Sequence, residues 1–210
     1  PYLMPWAAKE AVMYLGYGDD KRAKEVRTLI PEMTDEEYQQ FLEDAKKAHA
    51  RKSGEAKEIG TDGHAYLERL VKSRIRHLEA PRNDDKALER PLSQFLKWEA
   101  ESVKEWVLSE ARVADVENAF AGTLDGMAIM KDEKLAVIDF KFSNHIGADY
   151  HLQTAGYAIP FEKYSIEIQD RIILRLPKTE TREEWNETTH KKDIVENNLE
   201  VGRSKFDYQF

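Results

Sequence analysis

Residues 135–142 read LAVIDFKF, an apolar run interrupted by Asp139 and Lys141. Side chains alternate along an extended segment. Asp139 and Lys141 therefore leave the same face as Val137, while Ile138, Phe140 and Phe142 leave the other. The spacing alone carries no signal, because Asp19/Lys21, Asp44/Lys46, Asp84/Lys86 and Asp132/Lys134 share it. What distinguishes Asp139 and Lys141 is the apolar setting. A carboxylate and an ammonium placed beside a core must be paired or bind a metal, since burying either alone is costly.

A second carboxylate joins them. Asp125 stands in GTLDGM on the preceding apolar run, and the polar KDEK segment at 131–134 is the natural turn of a hairpin. A hairpin centred near residue 132 brings Asp125 opposite the Asp139 region. Two close carboxylates repel unless a cation lies between them, so the pattern points to a hard divalent ion with oxygen ligands, Mg2+ or Mn2+. A lysine beside such an ion can orient a water or hold developing negative charge, which is the equipment of phosphodiester hydrolysis. Asp125, Asp139 and Lys141 are thus the catalytic candidates. Three other elements fit. His64 shares a helix face with Leu67 and Val71 and so points inward. Glu110 lies on the first strand of the meander. Gln153 and Tyr157, four apart on a helix, share a face.

The elements that must position these residues fall into two halves. Up to about Trp106 the pattern is helical. TDEEYQQFLEDAKKAHARK opens with Thr34 and, three residues on, Glu37, a capping box. GTDGHAYLERLVKSRI is expected to start a helix capped by Thr61 or Asp62, with Leu67, Leu70, Val71 and Ile75 as its apolar stripe. PLSQFLKWEAESVKEW places Pro91 in a first helical turn, and EAPRNDDKALERP before it reads as a loop. From about Val107 the period changes. VLSEARV, NAFAGTLDGMAIM and KLAVIDFKF form a three-stranded antiparallel meander, followed by the helix ADYHLQTAGYAIPFEKY and the strand RIILRLP. Helices, a meander, then helix and strand define an α+β, mixed-sheet class. We read the chain as one domain over 1–210, with a mainly helical part (1–106), a sheet and helix carrying the chemistry (107–178) and a charged C-terminal tail (179–210) that is a last helix or a partly ordered end.

Composition narrows the function classes. The 210 residues are 41% hydrophobic and 34% charged, no apolar stretch is long enough to span a bilayer, and cysteine is absent. Disulfides, thiolate metal sites and cysteine-ligated clusters are excluded, and a reducing, cytoplasmic compartment is expected. The chain opens on proline without a signal-peptide pattern, which leads us to expect a trimmed start. The net charge of −8 argues against a protein that simply coats nucleic acid but not against an enzyme that visits it. Lys72, Arg74, Arg76 and His77 could form a local basic edge, and Tyr150 and Tyr157 could stack on a single strand.

Taken together, GTDGHAYLE, SEARV, GTLDG, VIDFKFSN and HLQTAGYA, in that order over about residues 60 to 176, resemble the PD-(D/E)xK nuclease superfamily, specifically its RecB-like exonuclease branch. The resemblance implies a restriction-endonuclease-like core, a central mixed β-sheet flanked by helices with an N-terminal helical region. It implies that Asp125 and Asp139 hold the metal with the Phe140 carbonyl and His64, and that Lys141 positions the water. It further implies that Glu110 lies near the metal and that Gln153 and Tyr157 hold the DNA strand. It implies a Mg2+- or Mn2+-dependent DNA exonuclease of recombination or repair, in a bacterium or a phage-infected host, working beside a separate recombinase, single-strand-binding protein or helicase. Without cysteine there is no iron–sulfur cluster, and without a G-x-x-x-x-G-K-[ST] loop no nucleotide cofactor is expected. A non-cleaving nucleic-acid-binding module on the same fold and a protein-interaction domain are the alternatives.

Overall fold

In a computed structural model, residues 3–18, 21–117, 119–188 and 191–204 are described. The chain divides into two compact units, Pro1–Glu58 and Ile59–Phe210.

The first unit contains α1 (Leu3–Tyr14), α2 (Lys21–Leu29), a short 3-10 turn (Ile30–Glu32), α3 (Asp35–Lys46) and the opening of α4 (Ala48–Ile75). The expected capping box is present: Thr34 Oγ1 accepts from the Glu37 N–H, and the Glu37 carboxylate accepts from the Thr34 N–H at 2.8 Å. Tyr14 packs against Phe41 at 5.2 Å, and the Arg51 and Arg22 guanidinium groups lie 5.0 and 5.8 Å from its ring centre.

The second unit is the mixed α+β assembly expected from the sequence. After α5 (Lys86–Ser102) come β1 (Val103–Asp115), β2 (Phe120–Met130), β3 (Leu135–Lys141), α6 (Ala148–Glu162) and β4 (Asp170–Arg175). They are followed by β5 (Thr181–Asn186), β6 (Lys191–Glu196) and β7 (Glu200–Arg203). The five-stranded sheet has the order β1-β2-β3-β4-β7. β3 and β4 run parallel across the α6 crossover, and the other neighbours are antiparallel. Leu67, Leu70, Val71, Leu92 and Phe95 from α4 and α5 bury one sheet face together with Ile138, Phe140 and Leu174. Tyr157 and Ala158 from α6 bury the other with Val137 and Met127. The alternation of apolar and polar residues along β3 thus becomes two distinct surfaces.

Four expectations about elements are corrected. No helix starts at Thr61 or Asp62, because α4 runs unbroken from Ala48 to Ile75. Its Ala-, Lys- and Glu-rich opening favours helix strongly enough to carry three glycines, Gly54, Gly60 and Gly63, each a penalty of about 1 kcal/mol. Gly63 serves packing instead: a Cβ there would lie 2.3 Å from Phe142 Cζ. Likewise, α5 begins five residues before Pro91, where Asp85 caps the Ala87 N–H at 2.8 Å, so part of the expected loop is helix and Pro91 sits inside it. The segment from Val103, expected to continue the helix, is the start of β1. Finally, among the described residues the charged tail forms strands and no helix. Its β5 and β6 form a two-stranded sheet, and β7 extends the main sheet beside β4. Arg175, only 1% exposed, ties that addition down through Glu200 Oε2 at 2.8 Å, Asn197 Oδ1 at 2.8 Å and the Asn198 carbonyl at 2.7 Å. Among the described residues no helix is long and apolar enough to cross a membrane.

Candidate active site

The site lies where the β2–β3 ladder opens. Pairing runs from Ile129↔Leu135 to Gly126↔Ile138, so the next step would set Asp125 against Asp139, as the hairpin reasoning expected. Instead of a backbone pair, Asp125 Oδ2 accepts the Phe140 N–H at 2.6 Å. The carboxylate takes the place of a ladder carbonyl. A strand residue presents its N–H and C=O along the same edge, so the Phe140 carbonyl shares this opened edge with Asp125. On the other side of β2, the pairs Ser109↔Gly126 and Ala111↔Leu124 flank Glu110 and Asp125. Three carboxylate-bearing residues, Glu110, Asp125 and Asp139, thereby occupy matching positions on three consecutive strands. Glu110 has φ +50°, a left-handed conformation inside a strand that disfavours any side chain.

Asp139 and Lys141 emerge on the α6 face. Lys141 Nζ donates to Asp139 Oδ1 at 2.8 Å and to Gln153 Oε1 at 3.0 Å, and it lies 4.8 Å from the centre of the Tyr150 ring. Gln153 Nε2 donates to the Tyr157 hydroxyl at 2.6 Å, which extends the relay one turn along α6. Asp139 Oδ2 is 2.7 Å from the same ammonium as an ion pair, and this buried oxygen accepts no hydrogen bond. His64 approaches from α4, its Nδ1 3.6 Å from Asp125 Oδ1, an ion-pair distance beyond hydrogen-bond range. Its ring leans on Phe142 at 5.5 Å.

Electrostatics follow from this packing. Burial, reinforced by Asp125 and only partly offset by Lys141, pushes Asp139 up to about 6. Burial also raises Glu110, with the Asp125 and Glu68 charges adding to it. For His64, burial works against the charged imidazolium, but the Asp125 carboxylate outweighs it and the net pKa is raised. Each shift has the same origin: negative charge gathered in a partly dry pocket without enough positive charge to balance it.

Every residue singled out from the sequence lies in this second unit. Asp125, Asp139, Phe140, Lys141, Gln153 and Tyr157 form one connected set. His64 and Glu110 join it through Asp125. Two surface readings are corrected. Tyr157 is buried at 5% exposure behind Gly122, where a Cβ would lie 2.6 Å from Tyr157 Cε1, so it cannot stack on a base. In the proposed basic edge, Lys72 is paired with Glu68 and Arg74 with Glu99, which removes much of its free positive charge. Sequence reasoning missed Glu68, one turn after His64 and electrostatically linked to Glu110. The four-residue spacing from His64 was the available signal.

The donor set suits a hard divalent cation: carboxylate oxygens, a backbone carbonyl on an open edge and an imidazole nitrogen, with one buried carboxylate oxygen lacking a donor. The donors are not gathered into a closed cage. Among the described residues no three His, Cys, Asp or Glu side chains converge closely enough to form one. The reason lies in the partners just given, since Asp139 is turned toward Lys141 and Asp125 toward the Phe140 N–H. Comparison with protein-family models and with curated proteins gives no match to this chain.

Proposed function

We propose that the protein is a Mg2+- or Mn2+-dependent nuclease that hydrolyses phosphodiester bonds of DNA, an exonuclease of the PD-(D/E)xK, RecB-like kind. The observation that carries this reading is the convergence of Asp125, Asp139 and Lys141 at the point where β2 and β3 part. Asp125, Asp139, the Phe140 carbonyl and His64 would hold the ion. When bound, such an ion polarises a phosphate oxygen and lowers the pKa of a water.

The chain's own residues supply the rest. Asp139 and Gln153 fix the Lys141 ammonium from two sides, so that it is preorganised to stabilise charge building on the phosphate as water attacks. Tyr157 holds Gln153 in place from behind. His64 steadies Asp125, and Glu110 adds negative charge next to it, which strengthens the demand for a cation. The setting this reading suits is recombination or repair.

Titration calorimetry with Mn2+ tests the cation site directly. We expect one binding event in the parent and none in Asp125→Ala. A parent without a Mn2+ site would turn the charged strand into an ion pair of a protein-interaction domain. A Mn2+ site without cleavage of any DNA would favour a non-cleaving binding module.

A further inference from the structure

The Lys141 ammonium has a third neighbour besides Asp139 and Gln153. Its Nζ stands over the ring of Tyr150, 4.8 Å from the ring centre, inside the range of about 6 Å over which a ring face attracts a cation. α6 carries Tyr150 three residues before Gln153 and seven before Tyr157, so the three side chains stand in line on one helix face. Tyr150 and Gln153 meet the ammonium directly, and Tyr157 meets Gln153. The backbone of Tyr150 is tied at both ends: its N–H donates to the Gly147 carbonyl at 3.2 Å, and its carbonyl accepts the hydroxyl of the buried Thr154 at 2.9 Å. The three contacts differ in what they do to the lysine charge. Asp139 offsets it and Gln153 directs it, whereas an aromatic quadrupole attracts a cation without bringing a countercharge. Such a hold matters for lysine, whose ammonium rides on a flexible four-carbon stem.

We infer that Tyr150 is a positioning residue for Lys141: its ring face holds the ammonium where the phosphate under attack will lie and leaves the positive charge free to act on it. The inference rests on the nuclease reading and deepens it. Tyr150 acts through Lys141 and does not touch the reacting bond, and its ring serves the ammonium and not a base of the strand.

The test compares the parent with Tyr150→Leu and Tyr150→Phe, and Lys141→Gln with the double variant Lys141→Gln, Tyr150→Leu. Leucine fills much of the space without a ring face, and phenylalanine keeps the face. Cleavage of a labelled oligonucleotide with Mn2+ gives kcat and KM for each. Tyr150→Leu should lower kcat about tenfold with KM unchanged to within about twofold, and Tyr150→Phe should recover most of that loss. In the Lys141→Gln background the same leucine should cost less than about twofold, because the group it acts through is gone. A rise in KM at constant kcat would make Tyr150 a strand-binding residue and overturn the inference. So would a loss in Tyr150→Phe equal to that in Tyr150→Leu, or a full tenfold loss without Lys141. Carbon-13 NMR of the Lys141 ε-methylene, assigned by its absence in Lys141→Gln, reads the contact without cleavage. Ring current should shift its protons upfield of those of exposed lysines in the parent and in Tyr150→Phe, but not in Tyr150→Leu. An unshifted resonance in the folded parent overturns the inference and leaves the nuclease reading standing. A parent with the shifted resonance that cleaves no DNA fails the nuclease reading, and the positioning role falls with it.

Discussion

Along β3, Ile138 and Phe140 face α4 and α5, whereas Val137, Asp139 and Lys141 face α6. On the first face Phe140 is 1% exposed and meets Phe95 edge-on at 5.6 Å and Trp106 at 6.3 Å, with no charge among them. On the second, Asp139 is as buried as Phe140 and its carboxylate is raised to about 6, beside the more exposed Lys141 ammonium that Gln153 holds. One strand therefore carries stability on one side and a charged cluster on the other, only a residue apart in sequence. The comparison teaches that the apolar face fixes the backbone tightly enough for the polar face to keep charges that burial disfavours. It also predicts that the two faces can be damaged separately.

The largest effect should come from the apolar face. Phe140→Ala is expected to destabilise the second unit by about 3–5 kcal/mol, seen as a lower denaturant midpoint, because the aromatic cluster cannot collapse into the space left behind. The polar face should respond the other way. Lys141→Gln is expected to lower DNA cleavage by about a hundredfold or more while destabilising less than Phe140→Ala, since Asp139, already raised to about 6, can take up a proton when its partner is removed. Equal losses of stability in the two variants would break the comparison.

A pH series sharpens it. Asp139 in the folded protein holds its proton more tightly than in the unfolded chain. Metal-free stability should therefore be full below the unfolded pKa and fall as pH rises through about 6, by on the order of 2–3 kcal/mol. Asp139→Asn should remove that fall, and Mn2+ should reverse it in the parent alone, as read from denaturant melts at each pH. The smallest effect concerns Glu110. Glu110→Gly should relieve the left-handed backbone and stabilise by about 1 kcal/mol, while cleavage declines because a charge beside Asp125 is lost. A stability loss in that variant would show that the Glu110 side chain, and not the strain, dominates.

Much of this was legible in the sequence because β-structure repeats every two residues. The faces of β3, the hairpin through 131–134 and the opposition of Asp125 and Asp139 all follow from that alternation and one turn. The four-residue spacing of Gln153 and Tyr157 likewise predicted a shared helix face, and the two side chains are hydrogen-bonded. The failures have physical causes. Thr61 and Asp62 look like caps, but helix propensity on their N-terminal side carries α4 straight through them. β5 and β6 are mostly polar, with Trp185 isolated and Ile194 and Val195 adjacent, so no apolar alternation announced them. Glu68 carried only the four-residue spacing from His64 as a signal, and its electrostatic link to Glu110 on β1 comes from long-range packing that this spacing does not encode.

The central claim is that the opened end of the β2–β3 ladder is a metal-dependent phosphodiester-cleaving centre. Digestion of end-labelled linear single- and double-stranded DNA with Mg2+, Mn2+ or EDTA, using the parent, Asp125→Ala and Lys141→Gln, tests it most directly. The account predicts loss of label only with metal, abolished in Asp125→Ala and strongly reduced in Lys141→Gln. Folded parent protein that leaves every substrate intact with either ion, or cleavage that persists undiminished in both variants, would contradict it.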